Sequence, residues 1–146
     1  MQVDFYHLSA TPIDRVLPRI AERVLADGER LLVVEADEGR RDALDRALWT
    51  YAPDSFLPHG LAGVGDEAAQ PVLIAPDPAP ANAARNVVLA DGRWRDEALA
   101  FDRAFLFFDD ERVAEARAAW RDLSAREDVV RAFWRQKEAG GWEKVG

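Results

Sequence analysis

The segment QVDFYHLSATPIDRVLPRIAERVLADGERLLVVEA, residues 2–36, contains two strand patterns separated by one helical pattern. The first strand pattern, QVDFYHL, alternates in polarity and is rich in β-forming residues. The second, RLLVVEA, is a near-continuous apolar run, which is typical of a strand buried on both faces. Between them, apolar residues at helical spacing form one face: Ile13, Val16, Leu17, Ile20 and Val24.

The same alternation of strands and helices continues along most of the chain. Helices are predicted over about 38–51, near 94–101 and over 109–126, and further strands over 71–75, 86–90, 104–108 and 128–136. Residues 138–146 are expected to form a flexible tail. The pattern predicts an α/β fold: a single Rossmann-like domain over residues 1–146, with a largely parallel central sheet and helices on both faces.

Composition narrows the class of protein. The 146 residues include no cysteine, which excludes disulfides, thiolate metal ligands and a cysteine nucleophile. We find neither a signal-peptide pattern nor an apolar run long enough to span a membrane, so a cytoplasmic location without membrane contact is expected.

Charge is distributed unevenly. The net charge of −8 disfavours direct nucleic-acid binding, so DNA is expected to be contacted only indirectly. Residues 1–110 carry 11 Lys/Arg and 20 Asp/Glu, whereas residues 111–146 carry 8 and 7. The C-terminal part is therefore the better candidate for contact with an acidic partner.

No set of residues predicts catalysis. The turn after the first strand, LSATP, lacks the glycines that let a pyrophosphate approach the backbone, so the fold is expected without a nucleotide-binding glycine motif. GVGDEA, residues 63–68, matches a dinucleotide motif in letters, but we predict a loop before it and no helix after it. His7 and His59 lack metal-ligand spacing. Neither a metal nor a cofactor is expected.

Trp49 stands out in the second predicted helix. Four residues form its apolar face: Leu44, Ala47, Leu48 and Tyr51. On a helical wheel Trp49 falls roughly 150° from the centre of that face. A tryptophan on a polar face indicates either a docking surface, shared with Phe56 and Pro58, or a side chain covered by the following loop.

The stretch LDRALWTYAPDSFLPHGLAG, residues 44–63, followed by QPVLIA, resembles the chi subunit of bacterial DNA polymerase III. The resemblance implies a non-catalytic subunit of the clamp-loader assembly, any polymerase activity belonging to the holoenzyme. It also implies a surface for the psi subunit, or another clamp-loader subunit, at Trp49, Phe56 and Pro58, with His59 adjacent in the motif. In related proteins an overlapping surface serves a repair helicase.

A second surface implied by the resemblance binds the acidic C-terminal tail of single-stranded DNA-binding protein. The matching positions are Arg117, Trp120 and Arg121, while a basic position expected one turn earlier is Val113 here. The residues alone leave another interpretation open, in which both arginines belong to a solvated helix face. Three alternatives to the adaptor function remain: a helicase adaptor, a nucleotide-binding α/β enzyme, and a homo-oligomer that buries the Trp49 surface.

Overall fold

A computed structural model describes residues 1–52 and 57–146 of the chain. It contains three α-helices among these residues: α1 (Ile13–Ala26), α2 (Glu38–Thr50) and α3 (Val113–Leu123). Eight strands accompany them: β1 (Gln2–His7), β2 (Leu31–Val34), β3 (His59–Leu61), β4 (Val72–Ala75), β5 (Asn86–Leu89), β6 (Arg103–Phe108), β7 (Val130–Gln136) and β8 (Trp142–Lys144).

All eight strands form one sheet in the order β3-β4-β2-β5-β6-β1-β7-β8. Every neighbouring pair is parallel except β7 and β8, which form an antiparallel hairpin. The β1–α1–β2 unit of the sequence is present, although β6 and β5 lie between its two strands. The predicted α/β class with a largely parallel sheet is confirmed.

Apolar side chains fill two layers, one on each face of the sheet. On one face, Leu17 of α1 and Leu48 of α2 pack against strand residues such as Val33. On the other face, Ala116 and Leu123 of α3 pack against the opposite side of the same strands. All four residues of β2 are fully buried, as expected for a strand covered on both faces. The prediction of helices on both faces is therefore also confirmed.

Several details differ from the sequence-based predictions. The short helix expected near 94–101 is a 3₁₀ turn at Asp96–Ala100. His59–Leu61, expected to be part of a connection, forms the edge strand β3. The sequence does not reveal this strand, because only three residues pair with β4 and an alternating pattern needs a longer run. Residues 142–144, expected within a flexible tail, pair with β7 as β8. No helix in residues 1–52 or 57–146 is long and apolar enough to cross a membrane.

Candidate protein-interaction surfaces

The first candidate surface lies on the last turn of α2. The Asp37 side chain caps the start of this helix by accepting from the backbone N–H of Arg40 at 2.9 Å. The register that this start sets leaves Leu44 and Leu48 buried in the core. It leaves Trp49 52% exposed. The half-exposed indole adds a large apolar area to an otherwise polar helix face, and such an area is expected of a residue that binds another protein.

The buried ring of His59 packs against the ring of Trp49. Its side chain has 0% exposure, and the ring centroids of His59 and Trp49 lie 4.8 Å apart. Nδ1 of His59 lies 2.6 Å from the carbonyl oxygen of Leu57. Its Nε2 lies 3.0 Å from Asp45 Oδ1, but the approach lacks hydrogen-bond geometry. A partner can therefore touch Trp49 directly, whereas His59 positions the indole.

Two other predicted residues follow the helix closely in sequence. Pro58 is half-buried beside His59. Phe56 lies outside the residues that the structure describes. The structure thus brings Trp49 and His59 into contact and leaves the orientation of Phe56 as a prediction.

The second candidate surface is a cavity of about 400 Å³ between α3 and the β7–β8 hairpin. Arg117 and Trp120, two of the three predicted tail-binding residues, line it, whereas Arg121 is exposed and lies outside it. Five further residues complete the lining: His7, Phe133, Arg135, Val145 and Gly146. None of these five is among the predicted tail-binding residues, because the position of β7 beside β1 and α3 depends on the strand order.

Trp120 is held in place by three contacts. The rings of Phe5 and Phe133 meet it edge to face, at centroid distances of 5.3 and 5.5 Å. The guanidinium carbon of Arg131 lies 3.9 Å from the centroid of the Trp120 ring, a cation–π contact. The indole is thus partly buried in the core and partly a wall of the cavity.

The cavity is basic at its rim. His7 Nε2 lies 2.6 Å from Asp110 Oδ1, and Arg135 forms an ion pair with Glu143 at 3.0 Å. Arg117 forms no ion pair with any residue in 1–52 or 57–146. Uncompensated positive charge beside aromatic surface suits a ligand that carries both carboxylates and an apolar group.

A third feature, a crevice of about 640 Å³, lies at the carboxyl ends of β1, β2, β5 and β6. Open α/β sheets usually bind nucleotides at such a crevice. Here the backbone N–H groups of Ser9, Ala10 and Thr11 all donate to one atom, Oε1 of Gln136, at 3.2, 2.9 and 3.1 Å. The donors that would approach a phosphate are thus occupied by a buried side chain.

Two buried carboxylates make the crevice still less suitable for a phosphate. Burial, followed by the nearby charge of Asp91, raises the pKa of Glu35. Burial alone would raise the pKa of Asp91 too, but hydrogen bonds from Arg95 and from the backbone of Ala36 lower it. Arg40 and Arg95 contact these carboxylates at 2.8 and 2.7 Å, so both cations are already neutralised.

The letter match GVGDEA does not form a dinucleotide site. It does follow a strand, β3, contrary to the prediction, but only a three-residue 3₁₀ turn, Glu67–Ala69, comes after it. The N–H of Gly63 donates to the Glu67 carboxylate at 3.1 Å. No cluster of side chains within 1–52 and 57–146 has the composition of a metal site.

Comparison with known proteins points to the same family as the motif in residues 44–63. The family model for the DNA polymerase III chi subunit, HolC, matches residues 1–130. DNA polymerase III subunit chi of Escherichia coli is 38% identical over 63 residues, which is 43% of each chain. The Pseudomonas aeruginosa subunit is 37% identical over 84 residues, 56% of this chain and 58% of the relative.

A more distant relative is the probable chi subunit of Rickettsia prowazekii, 27% identical over 73 residues, or 50% of this chain and 44% of the relative. The alignments therefore span about half the length of the curated relatives. The family match is much longer, covering all three helices and the strands from β1 to β6. The chain belongs to the DNA polymerase III chi subunit family.

Proposed function

We propose that the chain is a non-catalytic adaptor of the replicative DNA polymerase III clamp-loader assembly. It joins the acidic C-terminal tail of single-stranded DNA-binding protein to the clamp loader through the psi subunit or another clamp-loader subunit. The observation that carries the proposal is the cavity at Arg117 and Trp120, where a guanidinium without an ion-pair partner among the described residues meets aromatic surface. Its place of action is the cytoplasm.

The tail-binding part of the proposal rests on charge and shape. Arg117 offers charge-assisted hydrogen bonds to carboxylates. The rings of Trp120 and Phe133 supply apolar area for the end of the peptide. The negative charge of residues 1–110 keeps nucleic acid away, so contact with DNA is indirect.

The clamp-loader part rests on Trp49. Tryptophan is among the residues enriched in binding hot spots, and Trp49 is both exposed and backed by a buried ring. A repair helicase that uses the same indole would compete with the clamp loader rather than join it. A tether between polymerase and coated single strands then raises their local concentration without any chemistry in this chain.

Calorimetry with a synthetic peptide of acidic residues ending in phenylalanine tests the tail site. Arg117→Glu replaces the unpaired cation by an anion, and we expect peptide binding to be lost while circular dichroism stays unchanged. Arg19→Glu makes the same charge change on an exposed position of α1 and is expected to retain binding. Equal affinity of the Arg117→Glu variant and the unaltered chain would refute the tail-site assignment.

A further inference from the structure

The cavity beside α3 takes its basic groups from two different elements. Arg117 comes from α3, and Arg135 comes from β7. Arg135 and three other lining residues, Phe133, Val145 and Gly146, follow residue 130, where the family match ends. Family resemblance therefore says nothing about this wall of the cavity.

The turn of α3 explains why Arg121 is not part of the cavity. Three residues form the buried face of the helix: Ala116, Ala119 and Leu123. At about 100° per residue, Arg121 points about 170° away from the centre of that face. Trp120 lies about 70° from the centre and Arg117 about 130°, on the flank where the cavity lies.

Besides Arg121, the position one turn before Arg117 also fails to supply a second cation from α3. Val113, one turn before Arg117, is apolar and packs against the core. The helix therefore provides one guanidinium, that of Arg117, to the cavity. A ligand with several carboxylates needs another positive group nearby.

Strand β7 provides that group. Phe133 and Arg135 are two residues apart, so both side chains lie on the same face of the strand, toward α3. The register of β7 on β1 sets Arg135 beside His7, which also lines the cavity. Phe133 is fixed by its edge contact with the Trp120 ring, so the backbone that carries Arg135 is anchored next to the aromatic wall.

We propose that Arg135 is the second basic contact for the acidic peptide, in the role that Arg121 and position 113 do not fill. Arg117 and Arg135 bind carboxylates, while Trp120 and Phe133 hold the apolar end of the peptide. This assignment rests on the proposed function of the cavity as a site for an acidic tail.

Glu143 forms an ion pair with Arg135 and so competes with the peptide for its guanidinium. The pair spans the hairpin at 3.0 Å, and its side chains are 57% and 49% exposed. Exposed pairs contribute little stability, so a carboxylate of the peptide can replace Glu143 as the partner of Arg135. Glu143 thereby weakens binding and favours peptides with enough negative charge to compete with it.

Calorimetry with the same phenylalanine-ended acidic peptide separates these roles. Arg135→Ala is expected to weaken binding roughly tenfold, as for one lost charge-assisted hydrogen bond. Arg121→Ala removes another exposed arginine, one that lies outside the cavity, and is expected to leave the affinity unchanged. Glu143→Gln is expected to tighten binding about two- to fivefold, since it releases Arg135.

The outcomes distinguish this inference from the function on which it rests. If Arg117→Glu abolishes binding while Arg135→Ala leaves it unchanged, the tail site stands and the role of Arg135 is refuted. Weakening by Arg121→Ala instead of Arg135→Ala would refute it as well. Failure of the unaltered chain to bind the peptide would overturn both. Arg135→Lys, which retains charge in the hairpin, should keep part of the affinity and so shows that the loss in Arg135→Ala is not a folding defect.

Discussion

Replacement of Trp49 by alanine tests whether the exposed side of α2 binds a protein. The structural cost can be calculated from the 52% exposure of the residue. A fully buried tryptophan removes up to about 250 Å² from water, so Trp49 removes about 120 Å². At about 25 cal/mol per Å² this is about 3 kcal/mol at most. The alanine side chain still buries part of this area, and the unfolded chain is compact enough to bury some of it too. The expected loss of unfolding free energy is therefore about 1–2 kcal/mol.

The expected effect on binding is larger. Hot-spot tryptophans cost about 2 kcal/mol or more when truncated, which corresponds to an affinity loss of about 30-fold. We therefore expect Trp49→Ala to lose the clamp-loader partner while the domain stays folded, with a melting temperature lower by about 3–6 °C. A loss of affinity that is larger than the loss of unfolding free energy identifies Trp49 as a binding residue.

Pull-down with the partner and urea denaturation of the isolated chain measure the two quantities. Val130→Ala truncates another exposed apolar side chain, 68% exposed on β7, and should change neither. A loss of unfolding free energy of about 4 kcal/mol in Trp49→Ala would place the indole in the core. Unchanged partner binding would refute the docking surface. Sedimentation of the unaltered chain completes the test, because self-association through Trp49 would show that a second copy covers it.

Two further predictions concern the crevice at the carboxyl ends of the strands. Gln136→Ala leaves three backbone N–H groups of the β1–α1 turn without their acceptor and should lower the unfolding free energy by about 2–3 kcal/mol in urea denaturation. Gln136→Glu keeps an acceptor for these groups but gives up the hydrogen bond that Nε2 donates to Thr11 Oγ1, so it should lose clearly less. Equal stability of both variants would contradict this role. Glu35 has a raised pKa, so the folded state holds its proton more tightly and loses stability as pH rises through that pKa. Glu35→Gln should therefore be more stable than the unaltered chain at neutral pH and lose that advantage in acid; a constant difference across pH would refute the effect of burial.

Much of the fold is predictable because its strands are strongly apolar and its helices are amphipathic. The run Leu31–Val34 predicts a doubly covered strand, and all four of its residues are fully buried. Short edge elements escape such reasoning, because a strand such as His59–Leu61 has too few residues for a period to show. Its pairing with β4 is a tertiary contact that residues 59–61 do not encode locally.

The two candidate surfaces differ in how much the sequence reveals. Helical geometry alone places Trp49 away from the buried face of α2, which is clear from Leu44 and Leu48. It leaves open whether the following loop covers the indole, and the structure shows that Trp49 is 52% exposed. The cavity needs the strand order as well, because Arg117 and Arg135 meet only when β7 lies beside β1. A helical wheel turns Arg121 only about 40° farther from the buried face of α3 than Arg117, so the wheel alone does not separate the two arginines. The place of Arg135 beside the cavity depends on the strand order.

The proposed adaptor function needs two surfaces that do not interfere with each other, and the sheet lies between the two candidate surfaces. α2 packs on one face near β3 and β4, while α3 packs on the other face near β6 and beside β7. A helix packs on the order of 10 Å from its neighbouring layer, so a partner on Trp49 and a peptide at Trp120 are separated by about 20 Å of packed core. Because both helices rest on one buried sheet, force applied to a tail bound as proposed would pass through a close-packed interior rather than a flexible linker. Binding at one surface would then leave the other accessible, which is the physical condition that the proposed bridging requires.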